Sequence, residues 1–170
     1  VIGREEGGTP SGYLEETAFT GATSGVPQPT LEQLGRQIAA AQRVYLSHGI
    51  ATVQDGLTKY PEWAMLSSVA EAGRLITDVV AYAEMKDCRA LPAEHPDYAR
   101  GYRNRLRIGG YKIFLDGSPQ GRTAWMTEPY ENGEEGYRGY PIYTDEQVES
   151  FVRDALRENR QLLAHCNGDA

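Results

Sequence analysis

The stretch Gly109-Gly-Tyr-Lys-Ile-Phe-Leu-Asp-Gly-Ser-Pro-Gln-Gly-Arg-Thr-Ala124 decides how this chain folds. It reads as a buried β-strand with a lysine, Lys112, inside it, and it leaves that strand through a glycine-rich polar turn. Side chains alternate along a strand, so Tyr111, Ile113 and Leu115 share one face and Lys112, Phe114 and Asp116 share the other. The first face suits packing beneath helices. The second carries a cation and a carboxylate and suits a polar interior or a barrel mouth. A later apolar run, Gln161-Leu-Leu-Ala-His165, has Leu162 and Ala164 on one face and Leu163 and His165 on the other. Asn167, Gly168 and Asp169 then read as a tight turn.

Outward from these two strands the pattern alternates. Residues 1–29 are rich in Gly, Thr, Pro and Glu without sustained periodicity and read as loop, with one short helical turn over Tyr13–Ala18. Thr30 and Gln33 form a capping box, and Leu31, Leu34, Ile38 and Ala41 follow at helical spacing until His48-Gly49. A short strand over Ile50–Gln54 closes at Asp55-Gly56. Pro61 opens a helix whose apolar face is Met65, Leu66, Val69 and Ala70. Asp78–Ala83 is the second strand, Pro96–Arg100 a short helix and Arg107–Leu115 the third strand. Residues 117–143 form a long Gly/Tyr/Pro loop of the kind that is functional or mobile. Thr144 and Gln147 cap a last helix with the stripe Val148, Phe151, Val152, Ala155 and Leu156, before the fourth strand at Gln161–His165. Helices alternating with strands predict an α/β fold with a parallel sheet and crossover helices.

The chain has 170 residues, 40% of them hydrophobic, enough for one domain with a core. Its formal net charge is -7 with no basic cluster, which argues against a nucleic-acid partner. No apolar run is long enough to span a bilayer, and no signal-peptide pattern is present, so a cytoplasmic location is the default. Cys88 and Cys166 read as reduced thiols rather than a disulfide framework. The chain opens in loop and closes just beyond a core strand, which reads as an internal piece of a longer polypeptide.

Two readings are open for Lys112. It can be a snorkelling lysine or a structural partner of Asp116. Alternatively, burial disfavours its charged form, and a neutral amine can add carbon dioxide to give a carbamate, an anionic oxygen ligand. His165 is either a hydrogen-bonded strand histidine or a metal ligand through neutral imidazole. Cys166 is a rival ligand, but neighbouring strand residues point to opposite faces, so it reads as a small apolar side chain. Asp169 is a candidate to support a ligand from behind. Arg122, at the carboxyl end of a strand, either grips a substrate carboxylate or carbonyl or pairs with Asp116. His48 and His95 read as structural or solvated.

At Tyr111–Ser118, Gly121–Ala124 and Leu163–Asp169 the sequence resembles the amidohydrolase superfamily, in particular the branch containing N-substituted formamide deformylases. Residues 7–18 are similar to that branch as well. The resemblance implies a metal-bearing (β/α)₈ (TIM) barrel, of which this chain would hold strands two to five. It implies one or two divalent ions, zinc by preference, bound at the carboxyl ends of the strands. Their ligands would be a first-strand His-x-His pair, a carboxylated fourth-strand lysine, fifth- and sixth-strand histidines and an eighth-strand aspartate. Lys112 matches the lysine and His165 the fifth-strand histidine. The implied reaction is hydrolysis of a small-molecule amide or formamide, a non-peptide C–N bond, by metal-activated water, with the eighth-strand aspartate as general base. The chain contains neither the His-x-His pair nor the later histidine and aspartate, so as an isolated piece it is expected to be inactive.

A non-catalytic reading competes with this one. Open strand edges would let a partial barrel act as a binding module and form a homo-oligomer. A nucleotide-binding domain is disfavoured, because no glycine-rich fingerprint follows the first strand.

Overall fold

The computed structural model describes residues 2–14, 17–23, 25, 27, 30–131 and 134–170. The chain divides into two compact units, Val1–Leu34 and Gly35–Ala170. In the first, β1 (Ile2–Arg4) and β2 (Pro10–Leu14) form an antiparallel hairpin, followed by the helix α1 (Thr17–Thr23). This corrects the expectation of loop over residues 1–29 at these three elements; residues 1, 15, 16, 24, 26, 28 and 29 lie outside the described residues. The strands are too short to show an alternation in the sequence, and the turn between them carries the pairing. Glu5 N–H donates to the Thr9 carbonyl at 2.8 Å, and the Arg4 guanidinium donates to the Gly8 carbonyl at 2.6 Å. The helical turn expected over Tyr13–Ala18 is also corrected: Tyr13 and Leu14 are strand, residues 15 and 16 lie outside the described residues, and the helix begins at Thr17.

The remaining elements are α2 (Leu31–Ser47), β3 (Thr52–Thr58), α3 (Tyr60–Glu71), β4 (Asp78–Glu84), α4 (Leu91–Glu94), α5 (Pro96–Arg100), β5 (Leu106–Phe114), α6 (Asp145–Arg157) and β6 (Gln161–His165). Both capping boxes form: Thr30 N–H to Gln33 Oε1 at 2.8 Å with the reciprocal bond at 3.2 Å, and the equivalent pair at Thr144 and Gln147. At the other end, α2 and α6 stop alike. Ile50 N–H reaches back to the Tyr45 carbonyl and Arg160 N–H to that of Ala155, with Gly49 and Asn159 in the left-handed conformation.

The four strands of the second unit form one parallel sheet in the order β3-β4-β5-β6. β3 starts later and runs further than the sequence reading placed it, because Asp55 and Gly56 lie inside a register shift rather than at a turn. The core is one cluster built from the sheet face bearing Val79, Ala81, Ala83, Leu106, Ile108, Tyr111 and Ile113. Trp63, Leu66 and Ala70 of α3 and Ala155 of α6 join it. Tyr111 pins this face: its hydroxyl donates to the Glu158 carboxylate and lies 3.2 Å from the Arg89 carbonyl. Burial and that carboxylate push the phenol up to about 12.

One irregularity sets the faces of β5. Ala81 pairs with Ile108 but Tyr82 pairs with Gly110, so Gly109 is an extra residue, a β-bulge. Uninterrupted alternation would put Ile108 on the same face as Lys112. The bulge shifts the phase by one, so Leu106, Ile108, Tyr111 and Ile113 all face the helices and are 4% exposed or less. Lys112 and Phe114 face the opposite side, half-buried. The bulge also needs bare backbone. A Cβ on Gly110 would lie 2.1 Å from the Gln161 carbonyl oxygen, and one on Gly109 would lie 2.5 Å from Val80. Gly110→Ala is therefore expected to prise β6 from β5 and lower stability by about 1–3 kcal/mol, read as an earlier urea-unfolding midpoint.

Candidate metal centre

In a parallel sheet, residues in register point to the same side. Phe114 is paired with His165 and Lys112 with Leu163, so Lys112, Phe114, Leu163 and His165 share one face at the carboxyl ends of β5 and β6. The two candidate ligands occupy one diagonal of this patch and two apolar side chains the other. Lys112 Nζ lies 4.9 Å from the Phe114 ring centroid. The Phe114 and His165 rings meet edge to face, with centroids 5.3 Å apart at 64°. Burial pushes the Lys112 amine down, and the Cys166 thiol acts on it in the opposite direction. His165 and Cys166 are both exposed. β6 ends at His165, and Cys166 lines a cavity with Leu115 and Tyr143.

Two further residues of the same face went unnoticed in the sequence. Glu84, the last residue of β4, is in register with Lys112 and pairs with Lys59 at 3.5 Å. Tyr82, in register with Gly110, donates its hydroxyl to Gln161 Oε1 at 2.7 Å, bridging β4 to β6 across the bulge. A phenol beside a pair of glycines in the next strand is the signal that would have found this contact.

Asp116 is 5% exposed and is held by backbone donors. Its Oδ1 accepts from Asn167 N–H at 2.8 Å, and its Oδ2 accepts from Trp125 N–H at 3.0 Å and Gly168 N–H at 2.6 Å. This carboxylate thus ties the end of β5, the loop after it and the turn after β6 together. Burial works to raise its pKa, but the three N–H donors and the field of His165 win and hold it below the ordinary carboxylate value. Gly168 must be glycine for this contact, since a Cβ there would lie 1.7 Å from the Trp125 carbonyl oxygen. Asp169 makes a second tie, accepting from Thr127 N–H at 2.9 Å and the Thr127 hydroxyl at 2.6 Å. Arg122 is exposed in the turn between, in the left-handed conformation. The turn closes on itself: Thr123 N–H donates to the Ser118 carbonyl, and Ser118 N–H to Thr123 Oγ1. The long loop continues in the same manner, with Tyr130 donating to the Ala124 carbonyl and Ile142 N–H to that of Leu115. Of the other histidines, His95 meets the Trp63 ring at a 45° tilt with centroids 4.9 Å apart, and His48 is exposed just past the end of α2.

Among the described residues, no group of three or more His, Cys, Asp and Glu side chains is arranged to hold a metal ion. Lys112 and His165 share one face at the ends of β5 and β6 and are the two side chains there whose donor atoms could serve a metal ion. No helix among them is long and apolar enough to cross a membrane.

The model of the amidohydrolase family matches residues 1–170. The chain belongs to this family. The amidohydrolase chain is 24% identical over 175 residues to the exoenzymes regulatory protein AepA of Pectobacterium carotovorum subsp. carotovorum, covering 98% of this chain and 36% of that protein. It is 33% identical over 64 residues to the putative amidohydrolase YtcJ of Bacillus subtilis (strain 168), covering 38% of this chain and 12% of that one. Two solved structures share the fold: uncharacterized metal-dependent hydrolases from Pyrococcus furiosus and Pyrococcus horikoshii OT3, each with a TM-score of 0.68 at 24% identity. They are matched over 92% and 98% of this chain and 33% and 34% of their own. The amidohydrolase chain thus spans about a third of the length of the relatives it matches end to end.

The Asp116 tie yields a test with a defined sign. Asp116→Asn should lower stability at pH 7 by about 1.5–3 kcal/mol, since hydrogen bonds to a charged acceptor are the strong ones. The folded-state pKa lies below the ordinary 3.8, so this contribution is complete above that value and is lost as the pH falls through the folded-state pKa. Denaturation of both proteins at pH 7 and near pH 3 should show the gap between them shrinking in acid.

Proposed function

We propose that this chain is the central part of a (β/α)₈ barrel, its strands two to five, in a metal-dependent hydrolase of non-peptide C–N bonds. Amides or formamides would be the substrates, with the branch of N-substituted formamide deformylases the nearest in pattern. The observation that carries the reading is the shared sheet face of Lys112 and His165 at the carboxyl ends of neighbouring parallel strands, where barrel enzymes place their chemistry. Family membership over residues 1–170 supports it.

In this proposal Lys112, as a carbamate, and His165 hold one or two divalent ions, zinc by preference, with the remaining ligands contributed by parts of the protein outside this chain. A bound ion would supply Lewis acidity for the carbonyl and an activated water. The chain's own residues do the positioning. Asp116 and Asp169 fix the rim around the site, leaving Arg122 on an exposed turn from which it can meet a substrate carboxylate or carbonyl. The family's general base is not among these residues, so the chain alone would not turn over substrate.

The sheet order leaves β3 and β6 as the outer strands, which is the observation behind the second reading, a binding module that self-associates through those edges. Light scattering separates the two. A concentration-dependent dimer that forms without metal favours the second, and a monomer removes it.

The metal-centre proposal is tested in the full-length protein that carries this chain. Lys112→Ala and His165→Ala should each lower bound zinc per protein by at least half, measured by elemental analysis after dialysis. Metal content equal to that of the unaltered protein in both variants would sink the assignment.

A further inference from the structure

The geometry points to Phe114 as a positioning residue that arranges Lys112 and His165 for one shared ligand. The inference rests on the metal-centre reading above and adds a residue to which no role has been given.

The two candidate donors are not cross-strand partners. Lys112 stands opposite Leu163 and His165 opposite Phe114, so the donors lie on a diagonal of the patch. Diagonal neighbours on a sheet are about 7–8 Å apart, within reach of a long side chain only if it leans along the strand. Lys112 leans that way, because its Nζ lies over the ring of Phe114, two residues nearer the carboxyl end. The same ring meets the His165 imidazole edge to face. One flat side chain thus touches both donors, the lysine with its face and the imidazole at close range beside it. No other side chain among the described residues has a ring contact with either.

The bulge makes this arrangement available. With regular alternation from Ile108, Lys112 and Phe114 would both face the core, and the extra residue at Gly109 turns the two together to the opposite side. Phe114 is left half-buried on that face, while Tyr111 and Ile113 fill the core. The ring contacts of Phe114 are with the two candidate donors, Lys112 and His165.

The physical effect is on freedom of motion. A lysine side chain has many rotamers to lose, and a ring that already lies under its Nζ reduces what must be lost when it engages a ligand. The imidazole, exposed at the end of an outer strand, is likewise restricted by the edge of the ring. Replacing a residue that orients ligands costs about 10–100-fold in metal affinity.

The test uses the full-length protein and reads zinc affinity by competition with a chromogenic chelator, alongside melting of the metal-free form. Phe114→Leu keeps an apolar side chain of similar size and removes the ring. Phe114→Tyr keeps the ring. Phe114→Leu should weaken zinc binding about 10-fold, while Phe114→Tyr stays within about threefold of the unaltered protein and the metal-free melting points of all three agree within about 2 °C. Zinc affinity in Phe114→Leu equal to that of the unaltered protein would overturn the inference, as would an equal loss in Phe114→Tyr and Phe114→Leu. A loss that merely tracks a lowered metal-free melting point would also overturn it, since it would show packing and not positioning. Lys112→Ala and His165→Ala separate the two levels. If these also bind zinc normally, the metal centre itself is wrong; if they lose zinc and Phe114→Leu does not, only the role of Phe114 falls.

Discussion

The second unit depends on a single extra residue in β5. Between Leu106 and Ile113 the strand must bury four large side chains against the helices and yet present a lysine to the opposite side. A strand of fixed period two cannot satisfy both demands with this sequence, because Ile108 and Lys112 fall in the same phase. The bulge at Gly109 changes the phase between them. Bare backbone is what permits it: β6 approaches Gly110 so closely that any side chain would meet the Gln161 carbonyl. The Tyr82 hydroxyl then spans the same point to Gln161 and binds β4 to β6. The local distortion and the position of the candidate site are one feature.

The rim above that site is organised by carboxylates that spend their charge on backbone amides. Asp116 gathers three N–H groups from two separate segments, and Asp169 takes both donors of Thr127. A buried carboxylate is costly unless its lone pairs are filled, and here the turn after β6 fills them. The loop and the turn are fixed because the anion needs both. The result also settles what Asp116 is not doing: its oxygens are directed to amides rather than forming the side-chain pair with Lys112 that the sequence left open. Lys112 lies instead on an aromatic ring.

The chain spans about a third of the length of the solved chains it resembles, and it carries Lys112 and His165 on one sheet face.

By itself the sequence determined the class of the fold, and it singled out Lys112 and His165 as candidates. Capping boxes at Thr30 and Thr144, the helical stripes, and apolar runs ending in polar turns are local signals. Local signals survive because each depends on residues within one or two turns of chain. The strand ends drifted by a few residues, and the hairpin at Ile2–Leu14 went unseen, because short strands leave little periodicity to read. Tertiary structure alone decided three things: the phase change at Gly109, the neighbours of Lys112 and the amide partners of Asp116. Each depends on groups brought together from distant parts of the chain, Ala81 with Ile108, Phe114 with His165, Asp116 with Gly168. Side-chain alternation gives the two faces of a strand, but only the register against its neighbours decides which face looks inward.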